Sequence, residues 1–379
     1  MNKIYRIFLP HLIIFFAIVL YSCENRQNNT NNLSQNSNTE EYDKIEVKLG
    51  KKSYKVSLNY KVNKQSMNER KFIDINTRHL FKIGSINDTL FSYPTFVKTD
   101  IKGNIYVLDM ADHSVKKFDR EGVFIRKYGR MGKGPGEFIS PFRIDVSDSG
   151  KLLVLDPNLN RCELFEGDKI KQFTTNVISY AACFVGSMSF VTLQILDPFE
   201  NSALIKYNIE TGNSIECQNL ILDNNDVNLG ALPFLNGDIL GIDKKSFLYV
   251  PEFMNHFIKY SNEGKIIFAR NTIDKIKLPI IQRDNSNRVD FRLPQEYISS
   301  LYAFVVGNKF YNVSFKASEK KSYGKDYVVD SYSLSNGEYI YSFKLHIKEV
   351  LRNIYMDKER IYLLKDNLEL EVLNYKISL

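Results

Sequence analysis

The chain of 379 residues contains no tryptophan. That absence argues against WD40 repeats, against Trp-docked quinoprotein units, and against the exposed indole platforms that commonly hold sugars. Cysteine is scarce. Cys23, Cys162, Cys183 and Cys217 show no CxxC spacing and lie away from the histidines in sequence, so no structural zinc site is expected and no metal ligand is assigned. One disulfide among Cys162, Cys183 and Cys217 would leave an odd thiol, and the sequence chooses no pair. Charge excess is also small: 51 Lys and Arg face 44 Asp and Glu, and the net +7 is scattered. Without a stripe of basic residues, nucleic acid is not an expected partner. No Ser-His-Asp order, GxSxG, HExxH or EF-hand loop is present, so no catalytic residue and no cofactor are assigned.

The amino terminus reads as an address. Lys3 and Arg6 precede an apolar run from Leu12 to Leu20, too short to span a membrane comfortably, and Leu20-Tyr21-Ser22-Cys23 follows. These are the parts of a secretory signal over residues 1–22. Leu-x-Ser-Cys at this place resembles the bacterial lipobox, which implies that Cys23 is acylated and becomes the new amino terminus. The expected partner is therefore a membrane, held through that cysteine, in the cell envelope and on the outer membrane, its periplasmic or surface face left open. Processing would remove two basic residues and no acid, leaving +5. Residues 23–43 are mostly Asn, Gln, Ser, Thr and Glu and bury too little to order themselves. They form a tether with a reach of roughly 20–25 Å.

The remainder is rich in β-formers: 44% hydrophobic and 13% aromatic, with β-branched residues throughout. A repeat organises it. GNIYVLD at 103–109 and VKKFDREGVF at 115–124 recur as Gly150 with LLVLD and as CELFEGDKI; Gly103 and Gly150, Asp109 and Asp156, Phe118 and Phe165 are each 47 apart. A repeat of this length made of short strands is a propeller blade or a similar β module. The residues from 93 onward divide into about six such units: Phe96–Tyr128, Phe142–Phe173, Ala181–Cys217, Leu232–Arg270, Tyr302–Leu345, and a last one from Asn353. Runs such as IYVLD are apolar on both sides of the pleat, as befits strands sandwiched between neighbours. Glycine-bearing turns such as Asp119-Arg120-Glu121-Gly122 suit hairpins.

The final unit lacks a last strand, while Leu80 to Ile83 matches the last strand of a unit whose others are missing. The prediction is an all-β, six-bladed propeller of four-stranded blades over residues 71–379, closed by the N-terminal strand pairing with the last blade. Residues 44–70 form a small β annex upstream. Residues 272–296, with two prolines and many charges, fit no blade and are the expected functional loop.

Between the first two units runs YGRMGKGPGEFISP. Its Gly-Lys is followed by Gly-Pro rather than Ser or Thr, so it is not a phosphate loop. Gly132, Gly134, Pro135, Gly136, Glu137 and Phe138 are read as a structural connector, with Glu137 bonding backbone amides. Asp109, Asp112, His113, Asp156 and Arg161 follow the apolar strands and are the candidate channel-mouth residues. Paired acids with a histidine could bind a metal or act as acid and base. Alternatively Asp109 and Asp156 cap turns, with Asp243 of GDILGID taken as their equivalent in the fourth unit.

With GNIYVLD, the VKKFDREG turn and GRMGKGPGEF in place, the chain resembles the six-bladed β-propeller lipoproteins of Gram-negative bacteria related to NHL repeats. The resemblance is sharp over residues 96–173 and implies a fold and an envelope location, not one activity. The expected function is a binding scaffold without catalysis, its ligand an unidentified protein, peptide or glycan. The alternative is a metal-dependent propeller hydrolase or lyase acting on a small or saccharide substrate.

Overall fold

A computed structural model describes residues 44–378 apart from short stretches, the longest of them 224–235. The signal, the tether and Cys23 lie outside the described residues, as does much of 272–296. Six antiparallel four-stranded sheets follow one another along the chain. Blade 1 comprises Pro94–Thr99, Ile105–Asp109, Ser114–Phe118 and Phe124–Tyr128. Blades 2 to 5 open with Arg143–Val146, Ser179–Phe184, Gly237–Gly241 and Ser300–Val306, and blade 6 with Leu351–Met356. These first strands touch one another in sequence, and the sixth touches the first, so the ring is closed around them. The protein is an all-β six-bladed propeller.

Burial follows the alternation. IYVLD and LLVLD are buried at every position, whereas the outermost FIRKY of blade 1 is mostly exposed. There is no single core. Six apolar clusters each join two neighbouring blades; Tyr106 and Leu108 of blade 1 meet Ile144 and Val154 of blade 2, and Tyr362 and Leu364 of blade 6 meet Val97 and Val107 of blade 1. Each fully buried Val, Leu or Phe contributes roughly 1.5–3 kcal/mol. A blade on its own would leave half of each cluster in water, which is why the modules are stable only as a ring.

Asp74–Ile83 runs antiparallel along Leu370–Ser378, from Leu370 opposite Ile83 to Ser378 opposite Asp74, and is the outermost strand of blade 6. The chain reaches it by a strap across the rim. Leu58, Tyr60 and Val62 pack into the blade 3–4 cluster. Asn63 then exchanges backbone bonds with Ala269 and Asn271 on the outer strand of blade 4, and Lys71 and Ile73 with Ser342 on the outer strand of blade 5.

Upstream of the strap, Lys44–Leu49 and Lys52–Leu58 pair as a hairpin. The hairpin is part of a five-stranded sheet that also recruits Leu222–Asp223 and, from the insertion, Ile280–Arg283 and Val289–Asp290. The insertion at 272–296 is thus tied by parallel pairing to residues 46–49 rather than projecting as a free loop. Its first residues are also buried, Ile273 and Asp274 among them.

Candidate functional site

Asp109 and Asp156 end the second strands of blades 1 and 2 and are fully buried. Neither faces the channel, which the first strands line. Each carboxylate instead grips the segment entering its blade. Asp109 accepts Ser92 N and Tyr93 N at 2.8 and 2.7 Å, and Asp156 accepts Ile139 N and Ser140 N at 2.7 and 3.0 Å. Asp156 also caps the turn after it through Asn158 N and Leu159 N. A buried carboxylate needs such donors, because an unpaired one would cost several kcal/mol. Lys116 Nζ completes the set in blade 1, 2.7 Å from Asp109 and 2.8 Å from Asp112. His113 and Asn160 occupy equivalent left-handed positions at φ 50 and 48, a conformation that His and Asn tolerate better than most residues. Of the two readings of Asp109 and Asp156, channel-mouth groups or turn-holding acids, their bonds match the second, and His113 is placed by its own left-handed backbone. The placing of Asp243 is corrected: it follows the first strand of blade 4 and accepts Lys245 N, as Asp100 accepts Lys102 N in blade 1. The position of Asp109 in blade 4 belongs to Pro251.

Arg161 likewise lies over the connector and not at the channel. It donates to Lys133 O, Gly134 O and Glu137 O and pairs with buried Glu163 at 2.8 Å. Within the connector Glu137 N bonds Gly134 O, with Pro135 and Gly136 between them and Gly136 at φ 74, the pattern of a type II turn. Glu137 accepts Gly134 N and Arg130 Nε. Gly136 N donates to Glu163, and Phe138 is buried between blades 1 and 2 beside Phe165. Gly129 sits at φ 88 with the Phe138 ring where a Cβ would be, so a side chain there would clash as well as strain the backbone.

The channel itself carries charged residues that belong to no motif. Lys98 of blade 1 meets Asp145 of blade 2 at 3.4 Å, and Arg143 of blade 2 reaches Asp238 of blade 4 at 3.6 Å. Between them remains a cavity of about 10 Å³, no more than one water could fill. Glu252, beyond the second strand of blade 4, has its carboxyl pushed up to about 7 by desolvation and then by Asp238, with Arg143 opposing. Among the described residues no group of three or more His, Cys, Asp or Glu could hold a metal ion. Cys162, Cys183 and Cys217 are free thiols, and burial raises the pKa of each.

A larger opening lies under the strap: a cleft of about 370 Å³. Asn68, Glu69, Arg70 and Phe72 of the strap line it together with Ile273, Ala317 and Val328. Arg70 is fixed by Asp330, to which Nε and Nη2 both donate at 2.8 Å, and by Asp274 at 2.7 Å. Ser314 and Ser342 bond the same two acids. Desolvation still lifts the Asp330 carboxyl to about 6 against the pull of Arg70. Lys344 Nζ stands 5.0 Å from the centroid of the Phe72 ring, which is 49% exposed. Nothing local announced this cleft; its walls are joined across more than 200 residues of sequence.

Residues 34–175 match the model of a family described as a 6-bladed beta-propeller. Among solved structures, a Bacteroides fragilis protein described as exported superposes with a TM-score of 0.54 at 10% identity, over 83% of this chain and 99% of that one. A Bacteroides vulgatus protein gives 0.52 at 13% identity, over 82% and 99%. Virginiamycin B lyase from Staphylococcus aureus is less alike, at 0.49 and 10% identity over 79% and 99%. These likenesses show the fold alone. No curated protein matches the chain in sequence.

Proposed function

We propose that the chain is a cell-envelope lipoprotein whose propeller serves as a scaffold for binding a ligand or partner, without catalysis of its own. The observation that carries this reading is the engagement of the candidate acids: Asp109 and Asp156 are fully buried and hold backbone N–H groups of the incoming connectors. Catalysis would need a carboxylate that substrate can reach. The anchor rests on Leu20-Tyr21-Ser22-Cys23 and the polar tether behind it. The likeness to a Bacteroides protein described as exported supports an envelope address.

The hydrolase or lyase reading is favoured by one observation, the Glu252 carboxyl near 7, a value suited to proton transfer. The cavity beside Arg143 and Asp238, about 10 Å³, is too small for a substrate and weighs against it.

Two measurements test the proposal. Cells fed radiolabelled palmitate should label the wild-type chain and not Cys23→Ser; an unlabelled wild type removes the anchor. Metal analysis of the purified protein should find no stoichiometric divalent ion, and finding one would restore the enzymatic reading.

A further inference from the structure

The strap cleft combines features that narrow its ligand. Its volume of about 370 Å³ falls in the range of small-molecule sites. Its strap wall is rigid before any ligand arrives: Arg70 is held by two buried carboxylates, Lys71 N by Tyr339 Oη at 2.9 Å, and Ile73 N by Ser342 O. Preorganisation of this kind lowers the ordering cost of binding.

Chemistry then sorts the candidates. Of the charged residues that line the opening, Glu69, Arg70 and Lys344, Arg70 is already neutralised by the buried Asp274 and Asp330, so no uncompensated positive charge is left to draw an anion. A cation would meet the Arg70 and Lys344 side chains that line the opening. A purely apolar ligand would strip water from Asn68, Glu69 and Arg70 and return no hydrogen bond. A neutral, hydroxyl-rich molecule with one apolar face suits the whole set. Phe72 offers the half-exposed aromatic face that the chain, lacking tryptophan, has no indole to provide. Beside it, Asn68 and Glu69 offer paired amide and carboxylate groups. Among the described residues Arg70 engages Nε and Nη2 with the two aspartates, leaving Nη1 to donate. Lys344 over the ring is an exposed contact, weak enough for a ligand to displace.

We propose that this cleft binds a neutral pyranoside, its apolar CH face on Phe72 and its hydroxyls on Asn68, Glu69 and Arg70. The proposal rests on the binding-scaffold reading and names its ligand class.

Saturation-transfer NMR on the mature protein, held in a detergent without a sugar headgroup, tests it. The probes are methyl β-D-glucopyranoside, maltose and cellobiose, with glucuronate and glucosamine as charged counterparts. Neutral saccharides are expected to bind, and Phe72→Leu and Asn68→Ala each to weaken them about tenfold or more. Lys344→Ala should bind as well as the wild type or better. Unchanged thermal unfolding of Phe72→Leu shows that the strap is still seated. No transfer from any neutral saccharide at about 20 mM, or a preference for the charged ones, overturns the proposal. Saccharide binding that survives Phe72→Leu and Asn68→Ala also overturns it for this cleft, while the scaffold reading would stand.

Discussion

Asp109 in blade 1 and Lys365 in blade 6 occupy the same ladder position, opposite Pro94 and Leu351 at the start of their first strands, and carry opposite charge. Their partners are exchanged as well. Lys116 faces Val107 and pairs with Asp109 at 2.7 Å; Glu371 faces Leu363 and pairs with Lys365 at 2.7 Å. In blade 1 the strand carboxylate holds backbone N–H groups of the incoming connector, whereas in blade 6 the ammonium reaches the Glu349 side chain at 3.3 Å. One position thus anchors the connector in both blades by opposite chemistry.

That relationship makes a test of what Asp109 does. Asp109→Ala leaves Lys116 to Asp112 alone and strands two N–H groups, and should cost about 3–5 kcal/mol in urea unfolding. The double exchange Asp109→Lys with Lys116→Glu restores an ion pair but not the acceptors for Ser92 and Tyr93. It should remain about 2 kcal/mol below the wild type. Full recovery by the exchange would show that the ion pair alone matters.

Closure makes a second. Removal of residues 44–73 takes away the annex and strap but keeps the strand paired with Leu370–Ser378. This chain should fold with a lowered Tm. Extending the cut through Ile83 bares the edge of blade 6 and its share of the cluster with blade 1. It should aggregate or unfold, as read by circular dichroism and gel filtration. Equal behaviour of the two truncations would contradict a closing role.

At the connector, Arg161→Met leaves Glu163 buried without its cation and should destabilise by about 3 kcal/mol or more. Adding Glu163→Met removes the stranded charge and should recover part of that loss. Limited proteolysis should cut within 130–137 faster in the single variant. A double variant no better than the single one would mean that Arg161 acts only through the carbonyls of Lys133, Gly134 and Glu137.

Two buried groups should bend the pH dependence in opposite directions. The Glu252 carboxyl is raised from 4.5 to about 7, so the fold retains a proton that the unfolded chain releases, and stability falls as pH rises across that window. Desolvation lowers the His256 imidazole, which pairs with Tyr60 Oη at 2.8 Å, from 6.5 to about 3. Its contribution is therefore lost as pH drops from 6.5 towards 3. Urea midpoints between about pH 4 and 8 should show Glu252→Gln gaining at the alkaline end and His256→Gln flattening at the acid end. Curves parallel to the wild type would disprove these assignments.

The repeat made the blades legible where strands and turns are local. IYVLD and LLVLD, buried on both sides, and the positive-φ glycines 122, 167, 212, 264 and 337 of the hairpin turns could be read in order. The same reading misplaced Asp243, because GDILGI has the look of a second strand and is a first. Asp109 and Asp156 were visible as acids after a strand, and the turn that Asp156 caps is local, but the other amides they hold lie 16 and 17 residues upstream.

By itself the sequence determined the module: its 47-residue period, its alternation and its turns, because those depend on neighbours a few residues apart. The tertiary structure alone decided that residues 46–49 pair with 280–283, that Arg70 locks onto Asp274 and Asp330, and that a cleft opens beside them. Contacts made across two hundred residues leave no periodic trace in the chain, since any extended segment can satisfy an open strand edge and only packing selects which one does.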